Sequence, residues 1–138
     1  MNKEPVTTGP GTADPDAEKA AVTAIEAYID SLNRRDLDGV RAAFHFPHVL
    51  FVEDRVVHYP TAADLSFAAF DRRISAQRWQ RSTLDGHRVV LAGPAKLHVD
   101  VWFTRWRDDG SAIGVHHSLY ILTRVGARWG IQARSSYG

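Results

Sequence analysis

The sequence predicts an α+β domain, with helices collected on one face of a curved antiparallel sheet. Two patterns predict it: the C-terminal third alternates with a period of two, and the N-terminal part carries apolar residues at helical spacing. In 97–105, Leu97, Val99, Val101, Phe103 and Arg105 alternate with His98, Asp100, Trp102 and Thr104, so one face is apolar and the other polar and aromatic. The run Arg107-Asp108-Asp109-Gly110-Ser111 signals a hairpin turn. Over 114–124, Val115, His117, Leu119 and Ile121 alternate with His116, Ser118, Tyr120 and Leu122. After a turn at Val125-Gly126-Ala127-Arg128, Trp129, Ile131 and Ala133 alternate with Gly130, Gln132 and Arg134. A meander with one apolar face needs a cover, and the N-terminal half supplies it.

Taken in order, Met1–Pro15 holds three prolines and two glycines without periodicity, and reads as a flexible tail (1–15) before a single domain (16–138). In 16–33, Val22, Ile25, Ile29 and Leu32 form a helical stripe, widened by Ala21, Ala24 and Tyr28. Asp36 is placed to cap a short second helix over 37–44, which Pro47 ends. Residues 48–54 and 55–59 read as two short strands joined at Glu53-Asp54. Thr61 starts a third helix, with Asp64 near a capping-box position and Leu65, Phe67, Ala68, Phe70 and Ile74 as its buried stripe. Residues 79–83 and 88–92 are further strands separated by Asp85-Gly86, and Gly93-Pro94 turns the chain into the meander.

At 138 residues the chain is long enough for one domain with its own hydrophobic core. Its 44% apolar and 24% charged content is that of an ordinary globular chain. Net charge is +1 and the 17 basic residues are scattered, which argues against nucleic acid or an anionic membrane as partner. The absence of cysteine excludes disulfides and a thiol nucleophile. No stretch approaches the ~20 apolar residues of a membrane span, and the N-terminus has no apolar signal-peptide core, so the expected compartment is the cytoplasm.

The order of elements over about 17–137, with the run Tyr28-x3-Leu32-Asn33-x2-Asp36-Leu37-Asp38-Gly39-x4-Phe44, resembles the nuclear transport factor 2-like superfamily. That superfamily includes SnoaL-like proteins, ketosteroid isomerases and scytalone dehydratases. The resemblance implies a cystatin-like cone: three helices packed in a strongly bent sheet, with a pocket at the open end and pairing of two copies through the outer sheet face. It does not imply one reaction, because the cone hosts isomerases, dehydratases and non-catalytic binders.

Several residues are candidates for chemistry. Tyr28 matches the helix-1 tyrosine that in ketosteroid isomerases donates a hydrogen bond to the developing enolate; a phenol in a dry pocket suits that role. The bland reading is a core tyrosine bonded to backbone. The rest of the isomerase pattern is weaker: Glu53-Asp54 is out of register for the base, and 114–124 has no carboxylate. His45 and His48 flank Pro47 and are placed for acid–base work, or for bonding the backbone freed at the helix end. They lack the third and fourth ligands of a metal site, so no metal and no cofactor is expected. His117 shares the parity of Val115, Leu119 and Ile121 and is expected inside, with His116 outside. The catalytic candidates are therefore Tyr28, His117 and His48. Tyr28, His45, Phe51, Phe67, Trp79 and Trp129 are expected to line the ligand pocket.

Trp102, Trp106, Tyr120 and Arg134 share the other face and are expected to form the surface of a homodimer. With the parity reversed, the cavity would instead be lined by His98, Asp100, Trp102, Tyr120 and Arg134. The expected function is binding of a small, mostly apolar ligand in the cone, with isomerase- or dehydratase-type acid–base chemistry. The alternative is a non-catalytic dimeric binding or structural module. Convergence of two titratable groups on one point of the cavity separates them.

Overall fold

The computed structural model describes residues 13–137. The first helix, α1, spans Pro15–Asn33. Asp14 caps it, accepting a hydrogen bond from Ala17 N at 3.2 Å, and Pro15 occupies the first turn, where a missing N–H costs nothing. The helix thus begins within the segment expected to be a tail; the rest of that expectation, residues 1–12, lies outside the described residues. Ala21, Ala24, Ile25, Tyr28, Ile29 and Leu32 are buried, as the stripe predicts.

Helix α2 spans Leu37–Ala43 and is capped by Asp36, whose Oδ1 accepts from Gly39 N at 3.0 Å. Phe44 is already extended, so strand β1 runs Phe44–Val52 and starts four residues before the expected His48. Pro47 therefore does not end a helix; it lies within β1, after a cis peptide bond. Strand β2 covers Arg55–Tyr59. The Thr61/Asp64 capping box is present, with Thr61 N to Asp64 Oδ2 at 2.8 Å, but it holds only a 3-10 turn over Ala62–Asp64. The chain extends at Leu65, which is buried, and the third helix, α3, is confined to Ala68–Ile74.

Strand β3 runs unbroken over Trp79–Gly93. Asp85-Gly86, expected as a turn, is instead a register shift in β3, and Asp85 Oδ2 accepts from Thr104 Oγ1 at 2.6 Å. Strands β4 (Lys96–Arg107), β5 (Ala112–Val125) and β6 (Arg128–Ser135) complete a six-stranded sheet in the order β2-β1-β6-β5-β4-β3. All neighbours are antiparallel except β1 and β6, which are parallel. The helices pack against the concave face, and the core is shared between α1 and the inner residues of β4, β5 and β6.

Two register facts decide which side chains face inward. Residues directly opposite in an antiparallel ladder share a face. In the β4–β5 hairpin Phe103 lies opposite His116, Val101 opposite Ser118 and Val99 opposite Tyr120. The buried face of β4 is Leu97, Val99, Val101 and Phe103, as expected. The inner face of β5 is therefore His116, Ser118, Tyr120 and Leu122, the reverse of the expectation, and His117 is outside. In β6 the pairing shifts between Leu122–Ile131 and Ile121–Ala133. The extra residue, Gln132, lets Ile131 and Arg134 both point inward despite their spacing of three.

Candidate functional site

The space between α1, α3 and the inner sheet face is a cavity with two adjoining lobes of about 40 and 50 Å³. Tyr28, Arg73 and Arg134 line both. The first lobe also meets Phe103, Arg105, Ser118 and Tyr120, and the second Val40, Phe44, Leu65 and Phe67.

Tyr28 reaches the cavity because it sits one turn after Ala24 on the buried stripe of α1. Arg134 reaches it from β6 through the Gln132 bulge. Its Nη1 donates to the Tyr28 hydroxyl at 2.8 Å, and its Nε donates to His48 Nε2 at 3.0 Å. The guanidinium also lies over the Phe44 and Tyr28 rings, 4.9 and 5.3 Å from their centroids.

His48 is fully buried and stacked on Phe44, with ring centroids 4.0 Å apart. Its Nδ1 meets Ile131 O at 2.9 Å. A carbonyl accepts only, so Nδ1 carries the proton and Nε2 is free to accept from Arg134. Burial, reinforced by the Arg134 charge, pushes the imidazole down from 6.5 to about 3. His48 is thus a neutral support for Arg134, with both ring nitrogens engaged, and not a general base open to the cavity.

Arg73 enters from α3, and its Nε is buried without a hydrogen-bond partner; Ser118 Oγ on β5 is in the same condition. Arg105 enters from β4 and is buried. Burial first, then the neighbouring Arg73, pulls the Arg105 guanidinium below its ordinary value. Burial, with Tyr28 beside it, pushes the Tyr120 phenol up, so Tyr120 is neutral near pH 7.

The structure disperses most of the other expected site residues. His117 is exposed on the outer face, where its ring stacks on Trp102 at 4.6 Å and its Nε2 meets Asp100 Oδ1 at 3.0 Å. Burial alone would raise the Asp100 carboxyl, but hydrogen bonds from His117 and Arg88 outweigh it and hold the group below the usual range. His45 is clamped at the other end of β1, between Arg128 O at 3.1 Å and Arg128 Nη2 at 3.0 Å. Phe51 is 46% exposed, because at this position of β1 the side chain points away from the helices. Trp79 donates to Ser82 Oγ at 3.0 Å and packs edge-on against Phe70, behind the cavity wall. Trp129 lines a shallow groove against α1 and α2 outside the cone. Phe67 does line the second lobe, beneath Arg35, whose guanidinium lies 4.4 Å from its ring centroid.

Tyr120 and Arg134, expected on the outer face, are inside for the register reasons given. Sequence reasoning missed Arg73, Arg105 and Ser118. Arg105 had a signal, since it ends the apolar parity run of β4. Among the described residues no three His, Asp or Glu side chains gather into a metal-binding group.

A family model described as NTF2-like protein (DUF6841) matches residues 17–137. No curated protein matches the sequence. Among solved structures, the chain is similar to a Nostoc punctiforme protein of unknown function with a cystatin-like fold. That match has a TM-score of 0.74 at 11% identity, covering 91% of this chain and 92% of the other. An NTF2-like protein of unknown function from Pseudomonas putida matches with a TM-score of 0.70 at 15% identity, covering 91% and 89%. A protein from Catenulispora acidiphila, solved in complex with S-DNPA, matches with a TM-score of 0.69 at 11% identity, covering 89% and 95%.

Proposed function

The chain belongs to the NTF2-like family DUF6841, and from the cavity inside its cone we propose that it is a small-molecule-binding protein. One observation carries the reading: Arg73 Nε and Ser118 Oγ, on two residues that line the cavity, are buried without a partner. Buried polar atoms are normally bonded to protein, water or a ligand, so two bare ones on residues lining one cavity support an occupant there. The Catenulispora acidiphila relative, solved with S-DNPA, supports a fold able to accommodate a small molecule.

Binding is favoured over acid–base turnover. The expected pair of Tyr28 and His117 is not assembled, because His117 is on the outer face, and His48 is held neutral with both nitrogens in use. The test is a set of amide ¹H–¹⁵N spectra of the full chain with a library of small organic molecules. Binders are expected to move the resonances of Tyr28, Ser118 and Arg134. A library whose members move none of them would overturn the reading.

A second reading concerns the outer sheet face, as the surface on which two copies pair. The Trp102–His117 stack, the 69% exposed Val115, and Leu119 and Ile121 beside them make an aromatic and apolar patch that favours it. Tyr120 and Arg134 are no part of that surface.

A further inference from the structure

Three guanidinium groups line the first lobe, from Arg73, Arg105 and Arg134. No aspartate or glutamate side chain is among the described residues lining either lobe. Arg134 donates hydrogen bonds to the Tyr28 hydroxyl and to the neutral imidazole of His48, neither of which cancels its charge. Arg73 keeps an unpartnered Nε. A buried charge is costly unless it is paired, and like charges brought together add to that cost. The cost shows on Arg73. Burial first lowers its guanidinium pKa, Tyr28 opposes, and Arg134 and Arg55 lower it further. Arg73 and Arg134, with no aspartate or glutamate side chain among the described residues that line the lobes, are complementary to an anion.

The two lobes differ in what they offer. The first has Arg105 with the Ser82, Ser118 and Tyr120 hydroxyls. The second has Ser66 and Tyr59 as well, but also a wall of Val40, Phe44, Leu65 and Phe67. Arg73 and Arg134 stand between them, lining both. A fully hydrated inorganic anion has no use for the Val40, Phe44, Leu65 and Phe67 wall, and a neutral apolar molecule leaves Arg73 Nε without a partner. At about 40 and 50 Å³ each lobe is small, so a ligand must span both.

We propose that this cavity takes a small monocarboxylate with a compact apolar body. Its carboxylate sits between Arg73 and Arg134, and its body lies against Phe44, Leu65 and Phe67. The planar fork of arginine matches a carboxylate with two parallel hydrogen bonds, which a lysine ammonium could not do. The proposal rests on the small-molecule reading above and names its ligand class.

The experiment compares sodium benzoate, benzamide and inorganic phosphate on the full chain at matched ionic strength, by titration calorimetry and amide ¹H–¹⁵N spectra. Benzoate is expected to move the amides of Ser118, Tyr120 and Arg134. It is expected to bind at least ~10-fold more tightly than benzamide, its neutral isostere, and more tightly than phosphate. Arg73→Gln is expected to weaken benzoate by roughly 10- to 100-fold. Asp100→Asn, on the outer face, is expected to leave its affinity unchanged. Equal binding of benzoate and benzamide, with cavity amides moving, overturns the anion and leaves the pocket standing. Tighter phosphate than benzoate overturns the apolar body. If neither organic probe moves a cavity amide, both the anion and the pocket fall. The benzoate–benzamide comparison needs no variant, so it decides even if Arg73→Gln does not fold.

Discussion

The Tyr28 hydroxyl accepts a 2.8 Å hydrogen bond from Arg134 Nη1, joining the first helix to the last strand across the cavity. The same guanidinium holds His48 through its Nε, so one side chain ties together α1, β1 and β6. The expected enolate donor thus accepts from Arg134, which holds the guanidinium in place, while its own O–H proton stays available to donate.

Tyr28→Phe removes that acceptor while keeping the ring that packs on Phe44 at 5.1 Å. Loss of one hydrogen bond to a charged, part-buried group should cost about 1–2 kcal/mol in urea denaturation. Benzoate affinity should fall as well, because Arg134 is released from its position. Wild-type values for both would show that the bond neither stabilises the fold nor orients the site.

Stability should depend on pH through His48. Its folded pKa, about 3, lies below the ordinary 6.5, so between those values the unfolded chain binds the extra proton. The contribution is complete above pH 6.5 and is lost as pH falls through the window. At pH 4 the loss from this one group should be roughly 3 kcal/mol. An NMR titration in which the His48 ring stays neutral down to pH 4, with a falling urea midpoint, would bear this out. A His48 ring that protonates near pH 6.5 would refute it.

Gly39→Ala tests the capping segment. Alanine is the better helix former by about 1 kcal/mol. Here, though, a Cβ would lie 2.7 Å from Asp36 Oδ2 and would press on Ser31 Oγ. Asp36 already spends its other oxygen capping Gly39 N. The clash should win, giving a net destabilisation of roughly 1–3 kcal/mol by chemical denaturation. A variant as stable as the parent would mean that Ser31 and Asp36 yield at no cost.

Trp102→Glu tests the outer face. If two copies pair there, the variant should elute as a monomer on a sizing column while the parent elutes as a dimer. A carboxylate in place of the indole removes the aromatic surface and is costly to desolvate in an interface. An unchanged elution volume would remove this face from consideration. Because Trp102 faces away from the cavity, benzoate binding should persist either way.

The class of fold was legible from the sequence, as were the buried stripe of α1, the apolar face of β4, the Asp36 cap and the Thr61/Asp64 box. Each is written within a few neighbouring residues, as a period or a local hydrogen bond. The reach of elements was harder to read. Phe44–Pro47 became strand because pairing with β6 outweighed the helical spacing, and Asp85-Gly86 became a bulge because β3 continues along β4.

The candidate site was mostly illegible, for a specific physical reason. On its own, β5 has two nearly equivalent faces. Which one turns inward depends on where the hairpin closes: Arg105 opposite Gly114 puts odd-numbered residues of β4 beside even-numbered residues of β5. That exchanged His117 for Ser118 and Tyr120. One bulged residue, Gln132, then brought Arg134 inside. The sequence by itself determined that a curved sheet would cover helices. The tertiary structure alone decided that the enclosed space would hold arginines from α3, β4 and β6, because no local pattern records residues that meet only when distant strands find their register.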